Sequence, residues 1–362
     1  MSAKPTEKIN WVNTLFLTLC PLVAIIGTAW LLMHNGISGK TWALFIAFLF
    51  LTGLAITAGY HRLFSHKTYK TNAIMRFIYL FFGAATFEGS VLNWCTDHRR
   101  HHRYEDTEKD PYNINRGFWF AHIGWLLRLD DSKRDYSNVN DLQADPLCAF
   151  QHRFYATSAI LTGFVLPTVI AALWGEALAG FIVAGALRIT LNHHFTFFIN
   201  SLCHTLGKQP YTKDKTARDH WVTALFTYGE GYHNFHHKFP LDYRNGIRHF
   251  HYDPAKWLIW ALEKCGWATE VKRIPPRRIA HHMLQAQDVS EHDRLAQTKE
   301  KLLQMIQRLE TLDKDYRDAM QAMSCKLTLK EQRKNLKAAR RELKQGMLAW
   351  SKLIAKVDLA TA

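Results

Sequence analysis

Cysteine is scarce and unpatterned. The 362 residues hold six, at Cys20, Cys95, Cys148, Cys203, Cys265 and Cys325, with no CxxC pair and no regular spacing. This argues against a disulfide framework and a zinc ribbon, and points to reduced thiols in a reducing compartment. No collagen-like glycine period and no low-complexity tract is present, so fibrous and disordered classes are excluded. The first ten residues carry two lysines and one glutamate. The apolar run after them is longer than a signal-peptide core and has no convincing small-residue cleavage pattern, so a retained span is expected. Acidic residues are in the minority, 31 against 46 Lys and Arg, for a net charge of +15. What is abundant is apolar residues, 48% of the chain, and histidine, at 20. The slightly negative mean hydropathy hides the apolar blocks of the first two hundred residues.

A membrane-spanning helix needs about 20 mostly apolar residues. Residues 11–33 qualify, with Pro21 as an expected kink, and residues 41–60 qualify with no charge at all. The short loop between them makes a hairpin. A second hairpin is expected from 155–174 and 177–199, with Gly175 and Glu176 in its turn. Arg188 interrupts the last span, and a charge at that depth is expected to face protein or an aqueous cavity. Residues 72–91 hold Arg76, Glu88 and two glycines and are expected to form a buried or interfacial helix. The two hairpin loops carry one basic residue, Lys40, while 61–153 and everything after Lys208 are rich in Lys and Arg. The positive-inside rule therefore puts both termini and the large polar segments in the cytoplasm. The expected fold is an all-α membrane protein: four transmembrane helices in two hairpins, a cytoplasmic helical cap, and a C-terminal helical hairpin.

The domain division is expected as 1–282 and 283–362. In the second part Leu295, Leu302, Leu309, Tyr316 and Met323 repeat every seven residues, as do Leu329, Leu336, Leu343, Trp350 and Val357. Both runs predict amphipathic helices with coiled-coil-like seams, and Ser290 with Asp293 and Thr328 with Glu331 are candidate capping boxes. From Val271 onward there are 20 basic and 11 acidic residues, so this tail holds nine of the fifteen net charges. No nucleic-acid-binding fold accompanies it, and a solvated helical hairpin is the expected reading.

Three histidine clusters lie outside the expected spans: His61-Arg-Leu-Phe-Ser-His66, His98-Arg-Arg-His101-His102 and His233-Asn-Phe-His236-His237. Positions i, i+3 and i+4 neighbour one another on a helix, so an HxxHH element aims its imidazoles at a small volume. Eight imidazoles exceed the needs of one metal, which takes three or four in a zinc site, and so point to two ions. Imidazole suits iron, copper, zinc and nickel. HExxH is absent, which argues against a zinc hydrolase. The Glu-x-x-His elements of ferritin-like di-iron bundles do not match either.

In order and spacing these motifs resemble the membrane fatty acyl desaturases, and most closely the stearoyl-CoA (delta-9) branch. The resemblance covers residues 51–253. It extends to Asp97, Asp110-Pro111, Arg116-Gly117-Phe118, Gly124-Trp125-Leu126-Leu127 and Glu230-Gly231-Tyr232. It implies two iron ions held by His61, His66, His98, His101, His102, His204, His233, His236 and His237, with Asn200 acting through water. His204 and Asn200 come from the NxxxH element and are assigned by resemblance alone. His193 and His194 are expected to pack near the site, and His122 to be structural. Asp97, Asp106, Asp110 and Glu230 are candidates to orient the imidazoles.

The resemblance further implies dioxygen-dependent desaturation of a long-chain acyl-CoA, or second an acyl lipid. Electrons would come from a separate ferredoxin-like or b-type haem donor and its reductase, since no haem, flavin or iron–sulfur motif is present. Asn93 and Trp94 match acyl-contacting positions. Arg99 and Arg116 are candidates for a phosphate-bearing head group. Phe45 and Leu49, one helical turn apart, are candidates to close the acyl tunnel. Animal members carry a basic pair after the Gly-Trp-Leu-Leu run, whereas this chain has Arg128 and then Leu129, Asp130 and Asp131. A membrane hydroxylase is the rival enzyme, and a metal-binding membrane scaffold the rival outside catalysis.

Overall fold

The structure is a computed structural model describing residues 8–128, 134–289, 293–322 and 326–360. It divides into two compact units, one of residues 1–209 and 214–273 and the other of 210–213 and 274–362. Leu129, Asp130, Asp131, Ser290, Met323 and Cys325, singled out in the sequence, lie outside the described residues.

In the first unit, α1 (Trp11–His34) starts at Asn10, whose side chain accepts from the Asn13 amide, and runs on through Pro21. Its surface is apolar and bare: Leu15, Leu19, Ile25, Ile26 and Met33 are all exposed. An apolar face of that length exposed to water would be costly, and lipid is the medium that suits it. α2 (Gly39–Leu54) is capped by Ser38 and continues without a break as a π-helix over Ala55–Ser65. The sequence had ended this helix at residue 60. His61, expected directly after the span, is thus part of the same continuous helix. α3 (Ala73–Ala84) has 12 residues, too few to span a bilayer. α4 (Val91–Tyr104) follows, capped by Ser90.

The next long helix, α5 (Tyr155–Ala172), contains a short π-helical stretch at Leu161–Val165. After a turn at Gly175 the chain returns through Ala177–Ala179 and a π-helical Gly180–Leu187 into α6 (Arg188–Ser201). The Glu176 carboxylate accepts from the Ser38 amide (3.2 Å), the Ser38 hydroxyl (2.9 Å) and the Thr41 hydroxyl (2.5 Å). The turn of the second hairpin is thereby bound to the turn of the first. Among the described residues three helices are long and apolar enough to cross a membrane: Trp11–His34, Gly39–Ser65 and Tyr155–Ala172.

Arg188 is fully buried. It donates to the carbonyls of Ala184 (3.2 Å), Ala85 (2.6 Å) and Gly163 (2.8 Å). It therefore faces protein, and it joins α6 to the end of α3 and to the π-helical stretch of α5.

The core of this unit gathers Ile56, Tyr60, Phe64, Leu80, Val91, Cys95 and Ile259. These come from the π-helix, α3, α4 and α8 (Pro254–Lys264); a six-residue helix, α7 (His233–Lys238), precedes α8. A two-stranded antiparallel pair, β1 (Lys70–Thr71) with β2 (Ala268–Thr269), ties the chain after the π-helix to the end of the unit, Lys70 opposite Thr269.

The second unit is helical. α9 (Pro276–Ala286) precedes a long pair, α10 (Asp293–Gln321) and α11 (Lys326–Ala360). Leu295, Leu302 and Leu309 pack with Leu336, Leu343 and Trp350, and Tyr316 lies at the margin of that cluster. The two heptad seams thus form one core. α11 begins at Lys326, so Thr328 lies inside its first turn and does not precede it as a cap.

Candidate metal centre

The three histidine motifs sit on three helices, and the helix type decides where each ring points. In an α-helix residues five apart are about 140° around the axis from one another. His61 and His66 would then diverge. The π-helix closes its turn over five residues, with the His66 amide on the His61 carbonyl at 3.0 Å. The two rings consequently lie on one face, edge to face with their centroids 4.8 Å apart.

On α4, His98 and His102 are four apart and share a face, while His101 is turned away from both. On α7, His233 and His237 are four apart and His236 is turned. The result is two groups. His61, His66, His98, His102 and His236 bring one ring nitrogen each within 4.8 Å of one another, and His101, His204, His233 and His237 do the same. Each HxxHH motif gives two rings to one group and one to the other. The sequence expectation that each motif serves a single volume is corrected to this crossed arrangement. His204 enters from the short helical turn after α6, with its Nε2 3.1 Å from that of His233. Other Nε2 approaches are 3.0 Å for His61 to His236, 2.8 Å for His66 to His98 and 2.9 Å for His102 to His236.

Nitrogens so close cannot all carry protons. Burial first, and neighbouring charge second, holds the pKa of His66, His98, His102, His204, His233, His236 and His237 well below 6.5. The rings are therefore neutral, the form that ligates a metal. Each group is a set of convergent imidazoles with Nε2 inward, and each fits one metal ion.

Several of the outward Nδ1 atoms face oxygen atoms that can hold their rings in place. Asp110 accepts from His101 Nδ1 at 2.9 Å. Glu230 lies 3.0 Å from His61 Nδ1 and Glu105 lies 2.7 Å from His237 Nδ1, both out of line for a good hydrogen bond. His204 Nδ1 meets the Thr216 hydroxyl at 2.7 Å, and that hydroxyl donates to Asp106 at 2.6 Å. Asp97 pairs with Arg134 at 2.5 Å. Burial would raise the Glu230 carboxyl, but His61 and Arg62 bring it below its usual value. Burial pushes Glu105 up to about 7.

Two of these supports escaped the sequence. Glu105 belongs to none of the motifs. Arg62 sits inside the first motif, 1% exposed, and donates to Glu230 (3.0 Å), to Asp253 (3.2 Å) and to the Tyr243 carbonyl (2.9 Å). Through Glu230 it holds His61 in place. The spacing of the first motif gave no sign of this, because the partner carboxylates lie far along the chain.

The remaining predicted residues are placed as follows. Asn200 is half-buried one turn before His204 and has no hydrogen-bond partner among the described residues. Trp94 stacks on His98 with centroids 4.9 Å apart, and its Nε1 donates to Glu88 at 3.2 Å. Asn93 accepts from the Tyr136 hydroxyl at 2.6 Å. Arg99 is bound by Asp141, the carbonyls of Ser65 and Phe64, and the Asn138 carbonyl. Its five donors are all engaged, so it acts as a brace between α4 and the π-helix. Arg116 lies over the Phe120 ring at 3.7 Å. Phe45 is buried against Leu31, Ile182 and Val183, with Leu49 at the margin of the same cluster. His193 meets the Thr86 carbonyl at 2.7 Å, and His122 bridges His194 and Ser201 at 3.0 Å each. A small cavity is lined by Gly53, Thr57, Thr196, Ile199 and Tyr228. Glu88, unassigned from sequence, accepts from Asn192 (3.0 Å) and Thr196 (2.9 Å), and burial pushes it up to about 7.

The profile of the family described as Fatty acid desaturase matches residues 40–269. A probable acyl-CoA desaturase of Schizosaccharomyces pombe is 42% identical over 279 residues, 76% of this chain and 57% of the relative. Acyl-CoA desaturase 1 of Saccharomyces cerevisiae is 39% identical over 77% of this chain and 55% of its own length. Stearoyl-CoA desaturase 5 of Bos taurus is 36% identical over 75% of this chain and 82% of its own. The chain thus spans little more than half the length of the two yeast relatives.

Proposed function

The chain belongs to the fatty acid desaturase family, and from that premise we propose that it is an iron-dependent membrane acyl-CoA desaturase of the delta-9 type. The observation that carries the reading is the pair of imidazole groups, five and four, which together are the nine histidines that the motifs and the family resemblance supply. Nine imidazole nitrogen donors with carboxylates or a hydroxyl behind several of them suit two iron ions better than two zinc ions, which take three or four ligands each. Asn200, without a hydrogen-bond partner among the described residues and one turn from His204, fits the water-mediated tenth position.

When bound, the irons would activate dioxygen for hydrogen removal from an unactivated methylene pair. The balance is simple. Dioxygen takes two hydrogens from the acyl chain, two electrons from an external donor and two protons from solvent, and leaves as two waters. The chain's own residues do the rest. Asp110, Glu230 and Glu105 fix ring orientation. Trp94, stacked on His98, stands where the acyl chain would pass. Gly53, Thr57, Thr196 and Ile199 would line its path between α2 and α6, and Phe45 and Leu49 would close the far end. Arg116 is the remaining candidate for the head group, acyl-CoA before acyl lipid. The electron donor would be a separate ferredoxin-like or b-type haem protein served by its reductase.

The bare apolar surface of α1 and the bound hairpin turns support insertion as two hairpins. Ala177–Ala179 through α6 would then be the fourth span, with the histidine centre and both termini on the cytoplasmic side.

Expression in a desaturase-deficient host with fatty-acid profiling tests the reading. A cis-monounsaturated product, two hydrogens lighter than its precursor and lost in His101→Ala, is expected. A product one oxygen heavier would replace desaturation by hydroxylation. Full activity in His101→Ala would defeat the enzyme reading.

A further inference from the structure

The charge of the tail is not spread evenly. α10 carries as many acidic as basic residues, whereas after Cys325 there are ten basic residues and three acidic. On α11 the basic residues also share one side. At 100° per residue, Lys330, Arg333, Lys334, Lys337, Arg341, Lys344 and Lys352 fall within an arc of roughly 100°. All seven are exposed. Leu336, Leu343 and Trp350, buried against α10, lie on the other side of the helix. Glu331 and Glu342 fall outside the arc. Arg340, at its edge, is the one paired with Asp313, at 3.1 Å. None of the seven forms an ion pair among the described residues.

An ordinary solvated helix face mixes signs and sets Glu four residues before Lys. Here Lys330 and Lys334, Arg333 and Lys337, and Lys337 and Arg341 stand four apart with like charge, which disfavours the helix in isolation. The stripe runs roughly 33 Å along the axis. Two leucines lie on it or at its edge, Leu348 (56% exposed) and Leu327 (75% exposed).

We propose that this stripe of α11 docks on the anionic surface of the membrane in which the first unit sits. Single-sign charge along a helix with isolated exposed leucines fits phosphate-bearing lipid head groups, the lysine and arginine stems lying over the head-group layer and the leucines entering it. An acidic protein groove would gain less from the two leucines at its rim, and nucleic acid would not reward them. The tail is covalently continuous with the membrane-inserted unit, so the local concentration of lipid is high without further affinity. The inference rests on the membrane insertion proposed above and not on the desaturase chemistry.

The test uses the full chain in nanodiscs. Cys265 and Cys325 are replaced by serine, Leu348→Cys receives a nitroxide, and the buried native cysteines stay in place. Collisions with lipid-dissolved oxygen and with a water-soluble nickel complex are compared. In discs with roughly a third phosphatidylglycerol, oxygen access is expected to rise several-fold over nickel access. In pure phosphatidylcholine discs, in about 0.5 M salt, or in a Lys334→Glu, Lys337→Glu, Arg341→Glu variant, the label is expected to behave as in water. A label equally water-exposed in both disc types would overturn the proposal and leave the stripe to a protein or nucleic-acid partner. A label equally lipid-embedded in both would also overturn it, since charge would not matter. Failure of the chain to enter nanodiscs would instead defeat the membrane reading.

Discussion

At the scale of single residues, the centre depends on groups that stand behind the histidines. Glu105 is the clearest case. It lies 2.7 Å from His237 Nδ1 and is almost fully buried. Glu105→Gln is expected to weaken metal binding to the four-histidine group by about 10–100-fold, with Asp110→Asn similar, as measured by metal competition. Unchanged affinity would make both carboxylates bystanders. The histidines themselves set a pH response. Seven have folded pKa values held well below 6.5 by burial and by one another. As pH falls below about 6.5 the unfolded chain takes up these protons and the folded chain does not. Stability of the metal-free protein should therefore fall with acid, by at most about 1.4 kcal/mol per unit per histidine, and level out only below the folded values. Denaturant unfolding between neutral and mildly acid pH checks the slope; a flat profile contradicts the neutral-ring description. Much of this residue set was legible in the sequence. Eight histidines stood out by spacing alone. His204 came only through the family resemblance, because one histidine at a helix end has no signature of its own. Glu105 and Arg62 gave no local signal, because their partners are distant in the chain.

At the scale of elements, the π-helix is what the sequence did not reveal. Its residues, Ala55–Ser65, are as apolar at the start as any span and carry no proline to mark the change. Hydropathy marks only where the apolar span ends, at residue 60. The hydrogen-bond pattern instead continues the helix and brings HxxxxH onto one face. The hairpin turns were legible, but their joining through Glu176 was not, since it needs a carboxylate more than a hundred residues from Ser38 and Thr41. Arg188, expected to face protein or an aqueous cavity, faces protein and donates to three backbone carbonyls. Arg188→Met should leave the Ala85 and Gly163 carbonyls without this donor and cost about 1–3 kcal/mol per carbonyl. Thermal denaturation in detergent measures it, and an unchanged midpoint would mean other donors fill the gap. Phe45 on α2 packs against α1 and the helix leading into α6. Phe45→Ala and Leu49→Ala enzymes are expected to accept longer acyl chains in a product profile. An unchanged chain-length preference would assign both residues to packing alone.

At the scale of the whole molecule, two units answer to two patterns in the sequence. Apolar blocks and histidine motifs build the first, and two heptad seams build the second. The boundary between the units falls near residue 273, before α9, where the sequence reading divides the chain at 282. In the first unit, paired hairpins hold three short helical pieces so that nine rings converge from four separate places in the chain. The central claim is that this convergence makes two metal positions and that iron fills them. Metal analysis of protein purified from iron-supplied cells tests it most directly, read against His66→Ala in one group and His233→Ala in the other. The account predicts two irons per chain in the wild type and about one in each variant. One iron in the wild type, or two irons retained in either variant, would contradict it.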